Sequence, residues 1–196
     1  MLNTLPAGTA IFRLHRVEGA YPSQWPEFRY YGPTSSRFDH HLSNENGEGE
    51  VQDRGILYGA VGDQAFKTCL AEFFQQTRIV DVSRYKPVMT AFEIVDSLRL
   101  VDLSGDFATR IGASAAINSG PRPRAQRWAQ LIYNAYPQAQ GIFYTSSMNP
   151  GQPAVALFER ALPAMPDRPR FSRELRHIAY LEAAANAAES LGYQVV

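Results

Sequence analysis

Residues 55–76, GILYGAVGDQAFKTCLAEFFQQ, join a short apolar run to an amphipathic segment that carries a carboxylate. Ile56 to Val61 lies between Gly55 and Gly62 and reads as a strand buried on at least one face, with Tyr58 inside it. Asp63 stands where a helix N-cap belongs. Phe66, Cys69, Leu70 and Phe73 then follow at the three- and four-residue spacing of an apolar helix face. At about 100° per residue, Glu72 falls about 110° from the centre of that face, beside Ala65, Cys69 and Gln76 and away from Lys67, Thr68 and Gln75. The carboxylate is therefore expected at the edge of the core. Helix geometry leaves open both a solvated flank glutamate and a partly desolvated one facing a cleft.

The chain around this stretch has 196 residues, 45% of them hydrophobic, enough to bury a core and to be read as one domain over residues 1–196. Nineteen Lys plus Arg balance nineteen Asp plus Glu, so no overall field attracts nucleic acid or an anionic membrane surface, and any anion must be held locally. Cys69 is the only cysteine, which excludes an internal disulfide framework, and its place on an apolar helix face suits inert packing. The first ten residues, MLNTLPAGTA, have no charged region followed by an apolar run, and no segment approaches the roughly 18 apolar residues of a membrane span. A cytoplasmic protein is expected.

Thr9 to His15 reads as a first strand with Arg13 among apolar neighbours, where an ion pair or an exposed strand face comes before any ligand. Residues 18–36 interleave prolines with Tyr21, Trp25, Phe28, Tyr30 and Tyr31, a loop able to wall a pocket. Arg37 follows, flanked by Ser36 and Phe38; a guanidinium there suits bidentate binding of phosphate oxygens. The adjacent His40 and His41 cannot easily face one metal, and neither His15 nor His177 supplies ligand spacing, so no metal site is expected. Residues 43–54, SNENGEGEVQDR, read as a mobile surface loop. Val88 to Val95 and Leu98 to Leu103 read as a hairpin turning at Asp96-Ser97. Arg122, Arg124 and Arg127 form a basic cluster at the start of a helix around residues 125–135, either a solvated face or a surface for an acidic partner. Gly141 to Thr145 and Ala154 to Phe158 are strands joined through Asn149-Pro150-Gly151, which places Ser146 and Ser147 where a buried strand emerges into a turn. Residues 178–191 form an Ala-rich helix closed by Gly192.

Taken together, IFRLHR, SSRFD, ILYGA, CLAEFFQ, VDLSG, AQRWAQLIY and GIFYTSSMNPGQPAVALF form an ordered series that resembles the RES domain family, named for an arginine, a glutamate and a serine. By that match the family arginine corresponds to Arg37, its tyrosine to Tyr58, its glutamate to Glu72 and its serine to Ser146, with Ser147 as the alternative. The family usually has glycines before its arginine, where this chain has Ser35-Ser36, and the loop at 43–54 is longer than usual.

The resemblance implies an α+β fold similar to ADP-ribosyltransferases, with two small packed sheets, flanking helices and an NAD-binding cleft. It also implies the toxin half of a type II toxin–antitoxin pair, with an Xre-like antitoxin, that acts by destroying NAD. No cofactor is then required: NAD is the substrate, and the chain has no Gly-rich strand–turn–helix fingerprint for holding NAD as a hydride carrier. Cleavage of the nicotinamide–ribose bond releases a neutral leaving group from a cationic one, so the site must chiefly stabilise an oxocarbenium-like ribose. Glu72 suits that task. Arg37 suits the pyrophosphate, with Arg13 as second candidate and Phe38 beside it, Tyr58 the nicotinamide end, and Ser146 the ribose or phosphate. Transfer of ADP-ribose to a protein, and a non-catalytic nucleotide- or partner-binding domain, are the alternatives.

Overall fold

The computed structural model describes residues 2–196. In chain order the strands are β1 (Leu2–Leu5), β2 (Ala10–Arg16), β3 (Arg29–Gly32), β4 (Glu50–Ala60), β5 (Ile79–Val80), β6 (Pro87–Glu93), β7 (Leu98–Asp102), β8 (Gly141–Thr145), β9 (Pro153–Phe158), β10 (Phe171–Glu174) and β11 (Gln194–Val195). The helices are α1 (Ala65–Phe73), α2 (Phe107–Arg110), α3 (Arg122–Ala135) and α4 (Ile178–Leu191). It is a mixed α+β fold in which nine strands share one hydrogen-bonded sheet, ordered β1-β7-β8-β9-β4-β2-β6-β10 with β3 also on β4. β5 and β11 form a separate parallel pair.

Two small packed sheets were expected, whereas the structure has one large nine-stranded sheet beside a two-stranded pair. The halves β1-β7-β8-β9-β4 and β2-β6-β10 are continuous, although they meet at a single partner pair, Phe12 with Ala60. The reason lies at Gly59. A Cβ there would stand 2.5 Å from Ile11 Cγ2 and 2.9 Å from the Phe12 carbonyl oxygen, so the bare backbone lets β2 cross onto the end of β4. On its other side β4 runs antiparallel to β9 over five pairs, from Ile56 with Phe158 to Ala60 with Ala154.

Other expectations also need correction. Residues 50–54 belong to β4, where Val51 pairs with Tyr31 and Glu50 with Gly32, so the polar segment is an edge ladder from 50 onward rather than loop throughout. β6 and β7 are no hairpin: β6 lies between β2 and β10, and β7 between β1 and β8. The connector's backbone is drawn elsewhere, with Ile94 N–H donating to the Thr9 carbonyl and Val95 N–H to that of Ala164. The N-cap of α1 is Gln64, without a side-chain cap bond, rather than Asp63. The close of α4 is as expected, with Gly192 left-handed at φ 68° and its N–H bonded to the Glu189 carbonyl.

Three apolar clusters fill the interior. Leu70, Cys69 and Phe74 of the α1 region meet Ala184 and Ala188 of α4 over Met89, the small alanines letting the helices approach. The Cys69 thiol donates to the Phe12 carbonyl, and burial pushes its pKa up to about 12, so it is an inert packing group. Ala125, Ala129 and Ile132 of α3 pack on Ile56, Ile142 and Phe158. Between α3 and β3 the segment 34–41 is clasped by buried Asp39. Its Oδ2 binds Arg29 at 2.8 Å and Thr34 N–H at 2.7 Å, and its Oδ1 lies 2.5 Å from His41 Nδ1. Burial alone would raise the Asp39 pKa, yet the bonds from His41, Arg29 and Thr34 outweigh it and hold the group well below the usual carboxylate range. His40 stacks on Tyr133 at 4.4 Å between ring centroids, and neither of its ring nitrogens has a hydrogen-bond partner.

Two predictions follow from this packing. Replacement Gly59→Ala should lower stability by about 1–3 kcal/mol in urea unfolding, because the Phe12 backbone cannot yield as a side chain would. Gly105→Ala, with nothing within 4 Å of its added Cβ, should stay within about 0.5 kcal/mol; equal effects would refute the close crossing. The second concerns pH. Burial, followed by the neighbouring positive charges, depresses His15 to about 4 and His40 to about 3. The folded state thus binds these protons more weakly than the unfolded state, and the full contribution is present above the unfolded value near 6.5. Stability should fall as pH drops from about 6.5 towards 4, by up to about 1.4 kcal/mol per unit for each imidazole. His40→Phe keeps the stacked ring and should reduce this slope by one proton; an unchanged slope would contradict the assignment.

Candidate functional site

Glu72 leaves the last turn of α1 with its side chain half-buried at the core edge. Its Oε1 accepts a 2.5 Å hydrogen bond from Ser146 Oγ, at the point where β8 runs out into its turn. The direction of that bond is settled locally. Ser146 Oγ already accepts from the backbone N–H groups of Met148 (3.1 Å) and Asn149 (3.0 Å), which leaves its own hydrogen for the carboxylate. The same turn is pinned to α1 by Asn149 Nδ2, which donates to Thr68 Oγ1 at 3.0 Å. Thr68 is therefore buried, whereas helix geometry placed it on the solvated side. Ser147 makes no comparable contact with Glu72 among the described side-chain bonds, so Ser146 is the serine at the carboxylate.

Arg37 reaches the same region from the clasped segment 34–41. Its Nη1 donates to the Gly120 carbonyl at 2.6 Å. Partial burial lowers its pKa, Glu72 opposes that shift by stabilising the cation, and Arg122 adds to it by repulsion, so three charged groups share one field. Arg122 is held by Gln75, whose Oε1 accepts from its Nη2 at 2.6 Å, and Gln75 Nε2 in turn donates to the Glu72 backbone carbonyl at 2.7 Å. The expected cluster of three arginines is thus divided: Arg122 is bound to Gln75, while Arg124 and Arg127 are exposed.

Tyr58 lies on β4 opposite Ala156, and its buried hydroxyl has no hydrogen-bond partner. Burial, then the Asp39 carboxylate, raises its pKa, and Glu72 acts in the same direction. Tyr144 is a member of the site that the sequence reading missed. It is 6% exposed, packs on Phe38 at 4.7 Å between centroids, and has its pKa raised well above 10 by burial and then by Glu72. The signal was available, since in β8 a period of two puts Ile142, Tyr144 and Ser146 on one face. Between the two tyrosines β9 offers only Ala154 and Ala156, opposite Tyr144 and Tyr58.

Two further expected ligand contacts, Arg13 and Phe38, are engaged by the protein itself. Arg13 is tied to the aromatic loop by Nη1 bonds to the Trp25 and Glu27 carbonyls, at 2.9 and 2.8 Å, and desolvation lowers its pKa to about 10. Phe38 is fully buried and supports Tyr144 from behind. Among the described residues, no three His, Cys, Asp or Glu side chains form a metal-ligating group. Two surface hollows, one beside Asp102 and Phe107 and one beside Glu93 and Arg168, contain none of the residues around Glu72.

The arrangement is bipolar. A carboxylate oriented by a serine hydroxyl can stabilise positive charge, the two guanidiniums can hold negative charge, and the two phenols stay protonated as donors. No family model matches the sequence, and no curated protein matches it. The fold is similar to that of a chain in the crystal structure of the M. tuberculosis MbcT–MbcA toxin–antitoxin complex, with a TM-score of 0.57 at 14% identity, covering 93% of this chain and 92% of that one.

Proposed function

We propose that the protein is a toxin that cleaves the nicotinamide–ribose bond of NAD. The observation that carries this reading is the Ser146–Glu72 pair with Arg37 within electrostatic reach, a cation-stabilising carboxylate near an anion-holding guanidinium. NAD has that polarity, with a cationic nicotinamide–ribosyl end and an anionic diphosphate. The resemblance to the RES family and the fold shared with a chain of a toxin–antitoxin complex support the same reading.

In this mechanism the C–N bond breaks with its electron pair going to nicotinamide, which leaves neutral and needs no proton. Positive charge develops on the ribose, and Glu72 stabilises it. Ser146 holds the carboxylate in place, and Tyr58 and Tyr144 line the nicotinamide end as neutral donors. The acceptor supplies a lone pair to the ribose carbon and gives up its proton. Water gives ADP-ribose, phosphate gives its 1-phosphate, and a protein side chain gives an ADP-ribosylated protein. Incubation with NAD, with and without phosphate, followed by identification of every product, assigns the acceptor. An Xre-like antitoxin is the proposed partner, seated over Arg37 and Glu72 so that substrate is excluded.

Replacement Glu72→Gln retains an oxygen to accept the Ser146 bond but removes the charge. NAD cleavage should fall about a hundredfold or more while the urea midpoint stays unchanged; near-native turnover by the folded variant would refute the role. In cells, expression should arrest growth in step with loss of NAD, and the Glu72→Gln protein should do neither. Arrest at constant NAD would rule out this mode of action.

A further inference from the structure

Arg37 and Arg122 approach Glu72 from segments far apart in the chain. Arg37 comes from the clasped loop and binds the carbonyl of Gly120, two residues before Arg122; Arg122 comes from the first position of α3 and binds Gln75, itself bonded to the Glu72 backbone. The ion pairs among the described residues involve Arg29, His41, Lys86, Arg160, Arg170 and Arg176, and neither of these two arginines. Both are partly buried, where like charges repel more strongly than in water. Glu72 supplies one negative charge, so the three groups together keep a surplus cation. Each guanidinium spends only one nitrogen on its neutral oxygen partner, Nη1 of Arg37 and Nη2 of Arg122, and a guanidinium has five N–H donors. Donors on both forks therefore remain for phosphate oxygens.

We infer that Arg122 is a second anion-binding residue of this site, and that Arg37 and Arg122 together clasp the diphosphate of a dinucleotide. The inference rests on the proposed binding of NAD and names the group that holds its charged centre. The neutral carbonyl of Gly120 and the Gln75 amide are then weak partners that keep the two forks ordered and leave donors for a stronger acceptor. Arg124 and Arg127, exposed on the same helix, take no part.

Calorimetry on wild-type protein, Arg122→Gln and Arg122→Lys tests this with two probes, ADP-ribose and inorganic pyrophosphate, the second by competition with the first. Gln keeps a polar amide without the charge, and Lys keeps the charge without the fork. Arg122→Gln should weaken both probes about tenfold to a hundredfold, with Lys in between. If ADP-ribose weakens while pyrophosphate does not, Arg122 acts by orienting Glu72 through Gln75, and the clasp is wrong. Unchanged binding of ADP-ribose by Arg122→Gln, or wild-type protein from which pyrophosphate displaces nothing, overturns it as well. A protein that loses both probes in Arg122→Gln yet never cleaves NAD keeps the clasp and discards the reaction, whereas NAD cleavage with unaltered probe affinities does the reverse.

Discussion

A serine oxygen that accepts two backbone N–H groups has only its own hydrogen left to give, and at Ser146 that hydrogen goes to Glu72. The rest of the site is built on this bond. It joins α1 to the β8–β9 turn, elements separated by more than seventy residues, and the Thr68–Asn149 bond beside it stops the two from sliding. A carboxylate on a helix flank would otherwise sample several rotamers in water. Holding Oε1 in a short, charge-assisted bond leaves Oε2 with only a long 3.5 Å contact from Gln75 Nε2, and so defines where positive charge can be accommodated.

The sheet exists in its observed form because this meeting needs it. β4 must carry Tyr58 on the face under α3 while its end pairs with β2, and only a residue without a side chain tolerates Ile11 and the Phe12 carbonyl at Gly59. The Asp39 clasp performs a parallel task for the arginine. With both carboxylate oxygens satisfied by Arg29, Thr34 and His41, the segment is fixed at its base, and Arg37 extends from a braced turn towards Gly120. Placing an arginine on so constrained a segment limits the side-chain freedom lost when it takes a ligand.

Which parts of this were legible in the sequence follows from how local each one is. α1, α4 and the β8–β9 turn rest on spacing, a terminal glycine and Asn-Pro-Gly, all within one element, and they were readable. The edge position of Glu72 was readable for the same reason. The β6–β7 pair misled because the donors of its connector are taken up by Thr9 and Ala164, residues that local sequence cannot nominate. Thr68 was misplaced because its partner is Asn149, eighty-one positions away. Arg13 resembled a ligand candidate until the loop carbonyls of Trp25 and Glu27 claimed it. The alternation of β8 aligns Tyr144 with Ser146, but an aromatic inside an apolar strand looks the same in local sequence whether it packs a core or lines a site.

The site also retains polar groups that stability alone would have removed. The Tyr58 hydroxyl is buried without a partner, and a desolvated donor of that kind costs about 1–3 kcal/mol. Arg37 and Arg122 repel each other while sharing a single carboxylate that is already bonded to Ser146. Phenylalanine in place of Tyr58 and a neutral residue in place of Arg122 would each relieve part of this strain without disturbing the sheet. These costs gather around one carboxylate, whereas the Asp39 carboxylate that clasps the neighbouring loop has both oxygens bonded, even though His40 and the Nε2 of His41 in that loop have no partner. A clasped segment beside donors left free is what a preformed binding site requires: the Asp39 clasp bears the entropy of ordering, and the free donors of Arg37 and Arg122 keep their hydrogen-bonding capacity for a ligand.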